Sequence, residues 1–215
     1  MPALPIFPLG TIAVPGFAIG LQIFEPRYLR LLSDLGDLPE ADRLFGVLAI
    51  RRGHEVGAGH ATETYAVGTA VRVGPLALDG RVVRLQPVGV RRFRVLRHLA
   101  DAPYPRAKVA WLDDVPGTDA EGLERIAREL RVAYAAYAKA TGLGELPAGW
   151  SPDTLAYAVL GAFPLPLADR QAALEAGTTA ERLTLLRRVL GREAALVTRF
   201  RALHLAPDPG AAGLN

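Results

Sequence analysis

Two textures divide the chain. Up to Pro116 the apolar residues fall in short runs, rich in valine and broken by glycine and proline. After Gly117 they recur at intervals of three and four among alanine, leucine, arginine and glutamate. The first texture is that of strands joined by turns, the second that of amphipathic helices. The pattern predicts strands over 4–9, 18–24, 44–51, 65–73, 82–96 and 106–112, and one short helix over 26–33 whose first turn takes Pro26. Pro5 and Pro8 cannot donate to a ladder, which predicts an edge position for the first strand. Pro8 and Gly10 are expected to shape a loop, and Pro15-Gly16 and Asp79-Gly80 are turn signals. Many short strands with turns between them predict a small barrel-like sheet.

In the second texture, Thr118 and Glu121 stand in capping-box spacing, the hydroxyl accepting from a backbone amide while the carboxylate reaches back. The helix they would open lines up Leu123, Ile126, Ala127, Leu130, Tyr134, Tyr137 and Ala138 as a buried face. Glu121 with Arg125, and Glu124 with Arg128, suit its wet face. Ser151, followed by Pro152 and Asp153, reads as the cap of a second helix that Pro164 and Pro166 stop. A short helix over 168–175 ends at Gly177, and Thr178 with Glu181 repeats the capping box for a last helix to about residue 203. The expected organisation is α+β, with a β-rich unit over 1–116, a helical bundle over 117–205 and a disordered tail over 206–215.

Composition narrows the function classes. The chain has 215 residues, enough for a sizeable core, and no apolar run reaches the roughly 18 residues of a membrane span. Its first residues lack a basic region and carry Pro2, Pro5 and Pro8, which does not suit a signal peptide, so a cytoplasmic location is expected. There is no cysteine, which removes disulfides, thiol nucleophiles and thiolate metal sites. The net charge is +3, and Lys108 and Lys139 are the only lysines, so the positive charge is almost all arginine. Arginine holds phosphates and carboxylates bidentately; a GC-rich genome accounts for the same bias.

Catalytic chemistry finds no entrance. Neither lysine follows a glycine, so there is no Walker loop, and no Gly-x-Gly-x-x-Gly run opens a helix. The only serines are Ser33 and Ser151, and Ser151 reads as a cap rather than as the nucleophile of a dyad with Lys139. The four histidines, His54, His60, His98 and His204, include no pair at helical metal-binding spacing. His54 and His60 share a glycine-rich loop with Glu55 and Glu63, which reads as a fortuitous cluster. No catalytic residue, metal or cofactor is expected.

The segment over 4–28 reads LPIFPLGTIAVPGFAIGLQIFEPRY. It resembles the opening of the Lon protease amino-terminal domain: Leu-Pro-x-Phe-Pro-Leu, a Pro-Gly turn, an apolar strand, then Phe-Glu-Pro-Arg-Tyr. RLFGVLAI over 43–50, YAVGTAVRV over 65–73 and DGRVVRLQPVGVRRFRV over 79–95 follow in the family's order, and DRQAALEAGTTAERLTLLRRVL over 169–190 resembles its later helix pair. The resemblance implies a PUA-like pseudo-β-barrel followed by a carboxy-terminal helical bundle, in a stand-alone bacterial form without the ATPase and serine-lysine protease domains. It also implies recognition of unfolded or damaged polypeptide, alone or as an adaptor beside a separate protease.

Residue roles stay divided at this point. Phe24 and Tyr28, four apart, are either core anchors or ligand contacts. Glu25 stands where a carboxylate favours a helix start, and Arg27 flanks Pro26 on its other side. Period-two alternation sets Val83, Leu85, Phe93 and Val95 against an outward row of Arg84, Arg92 and Arg94. That row is a solvated face, a contact for acidic peptide, or a phosphate-binding strip, so the alternative function is an RNA-binding PUA-like protein. The polypeptide-binding reading therefore names Phe24, Tyr28, Arg84, Arg92 and Arg94, in a partly apolar groove between barrel and bundle with sheet edges open to strand addition.

Overall fold

The structure is a computed structural model and describes residues 2–52 and 63–205. Five strands close a small barrel: β1 (Ala3–Leu9), β3 (Leu44–Arg52), β5 (Val67–Arg72), β8 (Val88–Leu99) and β9 (Arg106–Trp111). Their order is β1-β9-β8-β5-β3, and β3 pairs back to β1 to shut the circle. A short strand β4 (Glu63–Thr64) pairs antiparallel with the end of β3. A second sheet has three strands, β2 (Leu21–Ile23), β7 (Val82–Leu85) and β6 (Leu76–Asp79), in the order β2-β7-β6. Helix α1 (Pro26–Gly36) packs beside it. Helices α2 (Ala120–Thr141), α3 (Pro152–Ala162), α4 (Leu167–Glu175) and α5 (Thr179–Leu205) form the bundle. The α+β architecture and the pseudo-barrel are as the sequence predicts.

Three details differ. β1 is not an edge strand. It pairs antiparallel with β9 through Ala3–Pro5 and parallel with β3 through Ile6–Leu9, so each half of the strand serves a different neighbour. A strand that changes partner midway can carry Pro5 and Pro8 inside a closed barrel. The run over 82–96 is not one strand: Pro87 interrupts it, leaving β7 in the small sheet and β8 in the barrel. In α2 the cap is Asp119, not Thr118; its carboxylate accepts from the Gly122 amide at 2.8 Å.

Other local predictions match. Ser151 caps α3, accepting from the Thr154 amide. At α5 the Thr178 hydroxyl accepts from the Glu181 amide at 3.1 Å, and the Glu181 carboxylate accepts from Thr178 and Gly177. The predicted face of α2 is the buried one.

The core has three parts. Leu4, Ile6, Leu48, Ala70, Phe93, Ala107 and Val109 fill the barrel. Phe7, Phe45, Tyr28, Leu31, Ile23 and Leu85 join barrel, α1 and small sheet. The bundle closes over Ile12, Val14, Ala49 and Val67, which the β-rich half supplies. β3 is therefore covered on both faces, and its near-continuous apolar run follows from that.

Candidate functional site

The motif segment over 11–28 is mostly irregular backbone, yet it is firmly held. Thr69, fully buried, donates its hydroxyl to the Ala13 carbonyl at 2.7 Å. Gly16 turns the chain at φ 80°, and its amide donates to the Gly89 carbonyl while the Gly89 amide donates to the Phe17 carbonyl. A Cβ on Gly89 would lie 2.0 Å from the Val14 carbonyl oxygen, so β8 accepts the segment only where glycine stands. Pro15 and Gly16 thus form a bridge to the barrel as well as a turn. Pro8 lies in β1, and Gly10 follows in the bend after it.

Three apolar-lined depressions are strung along this segment. One, about 470 Å³, runs between barrel and bundle beside Ile12, Val14, Phe17 and Ile19, with Phe163 and Arg170 on its far wall. The next, about 650 Å³, lies over Ala18, Gly20 and Leu21 with Leu76, Leu85 and Val88. The third, about 300 Å³, is lined by Phe7, Pro8, Leu9, Gly20, Phe24 and Tyr28. Ala18 lines the first and second, and Gly20 the second and third, so the three adjoin as a track along the segment. Its walls are largely side chains without charge, the lining expected where apolar groups of a ligand are taken out of water.

The two aromatic residues separate in role. Tyr28 is a core anchor: it is buried against Phe7, with ring centroids 4.4 Å apart. Burial pushes its hydroxyl up to about 12, Arg27 opposing and Glu25 reinforcing. Phe24, by contrast, is half exposed at the mouth of the third depression. Glu25 makes no side-chain cap to α1; its carboxylate instead pairs with Arg27 at 2.8 Å, whose guanidinium stacks over Tyr28. The two charged residues of the motif brace an aromatic ring rather than a helix end.

The arginine row divides three ways. Arg84 lines the middle depression and pairs with Asp79 at 2.8 Å. Arg94 is exposed on β8. Arg92 does point outward from the barrel, as alternation requires, but the bundle covers that face and leaves it 2% exposed. It pairs with Asp114, and its Nη1 donates to the Leu174 and Ala176 carbonyls at 2.8 Å each. The exposed strip over Arg84, Arg92 and Arg94 therefore does not exist: two residues sit in different sheets and the third is inside.

Sequence reasoning missed the partners of Arg92. Arg182 of α5 is fully buried; it pairs with Asp114 at 3.2 Å and donates to the Ala173 carbonyl. Tyr157 donates to the same Asp114 oxygen at 2.6 Å, and burial pushes its hydroxyl up. Burial also pushes the Arg182 guanidinium down. Two arginines from distant elements thus cap the carbonyls at the end of α4, where the helix dipole favours positive charge. Asp-Asp over 113–114 ahead of the Pro116 breakpoint was the available signal. His54, Glu55 and His60 lie outside the described residues, as does the tail over 206–215.

A closed pseudo-barrel with a helical bundle locked to its side and an open apolar track along one segment has the form of a recognition module. The chain belongs to the family of ATP-dependent protease La (LON) substrate-binding domains, whose family model matches residues 3–192. Among similar proteins, Lon protease 2 of Myxococcus xanthus is 28% identical over 88% of this chain, and the Lon protease of Anaeromyxobacter dehalogenans is 27% identical over 88%. The chain spans 24% and 23% of those two relatives. The crystal structure of a Lon N-terminal domain protein from Xanthomonas campestris superposes with a TM-score of 0.57 at 25% identity, covering 86% of this chain and 97% of that one. The N-terminal domain of the Mycobacterium avium complex Lon protease shares the fold, with a TM-score of 0.65 at 15% identity, over 88% and 98% of the two chains. No helix among the described residues is long and apolar enough to cross a membrane.

Proposed function

We propose that this chain is a non-enzymatic module that takes up unfolded or damaged polypeptide on the apolar track along residues 11–28, for delivery to a protease. The observation that supports this reading is the half-exposed Phe24 at the end of three adjoining apolar depressions, in a chain of the substrate-binding family. Unfolded chains differ from folded ones in showing contiguous apolar side chains, and an open track of this kind distinguishes the two. Affinity is modest, because ordering a flexible segment costs roughly 2–5 kcal/mol of the interaction energy.

The test is fluorescence anisotropy with labelled, reduced and carboxymethylated α-lactalbumin as the unfolded probe. Phe24→Asp, at a position that the fold leaves half exposed, is expected to raise the Kd at least tenfold with an unchanged circular dichroism spectrum. Equal binding by the variant, or none by the parent chain at high micromolar concentration, would defeat the proposal.

A further inference from the structure

The small sheet has three strands, and β6 forms one of its two edges. β6 pairs with β7 through Leu76↔Leu85, Ala77↔Arg84, Leu78↔Val83 and Asp79↔Val82, without a bulge. Among the described residues it has no neighbour on its other side. The connection is two residues, with Gly80 at φ 61° and no positive φ at Arg81. That is the type II′ geometry of a tight hairpin. In such a hairpin Asp79 and Val82, which close the turn, exchange hydrogen bonds, and the antiparallel alternation then turns Ala77 inward as well. The amides and carbonyls of Leu76 and Leu78 therefore face away from the sheet. Outside the strand ladders, residues 76–79 take part in no backbone hydrogen bond among the described residues.

The side chains say what such an edge would accept. Leu76 and Leu78 share a face with Leu85, Val83, Leu21 and Ile23, through the registers β2–β7 and β7–β6. On β2 and β7 that face is largely covered: Leu21, Ile23 and Leu85 are no more than 5% exposed. On β6 the cover has ended, and Leu76 and Leu78 stand 54% and 77% exposed. Folded proteins ordinarily protect a free edge with lysine, a bulge or an inward charge. Here only Asp79, engaged with Arg84, is charged. Leu76 and Ala77 also line the middle depression of the track.

We propose that β6 receives the backbone of the bound polypeptide by strand addition, the occupant being an extended, apolar, proline-free segment of an unfolded chain. This rests on the polypeptide-binding reading of the track and specifies the atoms that hold the substrate. The outward amides of Leu76 and Leu78 choose an extended main chain whatever its sequence. The overhanging leucines choose alternate apolar side chains, at roughly 6.6 Å intervals along the added strand. Main-chain pairing supplies affinity without sequence specificity, which suits a receptor for many unfolded partners.

The test uses the full chain and three probes: unfolded α-lactalbumin, a labelled decapeptide of alternating valine and threonine, and that peptide N-methylated at four consecutive central residues. The parent chain is expected to bind the first two and to bind the methylated peptide at least tenfold more weakly. Leu78→Pro removes one outward amide while sparing the ladder bonds to β7, and is expected to weaken the peptide at least tenfold. Leu78→Val, which keeps the amide, is expected to stay within threefold. Equal binding of the methylated peptide overturns the proposal and needs no variant that must fold; so does a folded Leu78→Pro that binds like the parent chain. Binding of α-lactalbumin that depends on Phe24 but not on Leu78 removes strand addition and leaves the track. Absence of binding to every probe removes both. Self-association that Leu78→Pro abolishes and that excludes the peptide would make a second copy the occupant, and would also overturn it.

Discussion

Arg92 lies buried where the bundle covers the outer face of the barrel. Alternation correctly put its side chain on the outer face of the barrel, but alternation does not say what covers a face. The answer needed Asp114, Tyr157 and Arg182, which lie 22, 65 and 90 positions away in the chain and meet only after folding. Among the described residues, Asp114 is the one carboxylate shared by two buried guanidinium groups. Removing it as Asp114→Ala leaves both without a counter-charge, and the expected loss is about 3 kcal/mol, read from the urea midpoint. Arg84→Ala, which breaks an exposed pair, is expected to cost less than about 1 kcal/mol. Tyr28 gives a pH signature. Its hydroxyl titrates near 12 when folded against 10 ordinarily, so the folded state prefers the neutral form. That contribution is complete below pH 10 and is lost as pH rises from 10 to 12. Tyr28 alone is expected to lower stability by up to about 3 kcal/mol across that window, beside the contribution of other buried tyrosines such as Tyr157. Tyr28→Phe should remove that share of the fall in denaturation curves taken at successive pH values.

Elements were legible where a local rule decides them. Ser151 and Thr178 were readable as caps because a hydroxyl ahead of a periodic apolar run has few other uses. Thr118 failed because Asp119 stands beside it, and a shift of one residue leaves both spacings plausible. The structure therefore predicts an asymmetry: Thr178→Ala costs about 1 kcal/mol in thermal unfolding, whereas Thr118→Ala costs little. The strands were harder. The position of β1 between two partners depends on barrel closure, a long-range fact that no window around Pro5 and Pro8 contains. The break at Pro87 was local and readable, since proline cannot donate within a central strand. The apolar alternation on either side of it concealed a change of sheet.

At the scale of the molecule, β5 binds the parts together. Val67 packs into the bundle, Ala70 into the barrel and Val71 against the α1 side. The fold class followed from texture alone, because strands and helices differ in apolar period. The track did not, since its residues come from elements scattered through the chain, from Phe7 of β1 and the loop over 11–20 to Val88 of β8 and Arg170 of α4. Of the residues that line it, the sequence points to Phe24 and Tyr28 through the motif and to Arg84 through strand alternation. Site-specific photocrosslinking tests whether unfolded polypeptide lies along this track. A benzophenone amino acid at position 24, and a control at Val132, which is 72% exposed on α2, are irradiated with unfolded α-lactalbumin. Adducts are expected from position 24 and few from 132; equal yields from the two, or adducts from 132 alone, would rule out binding along the track.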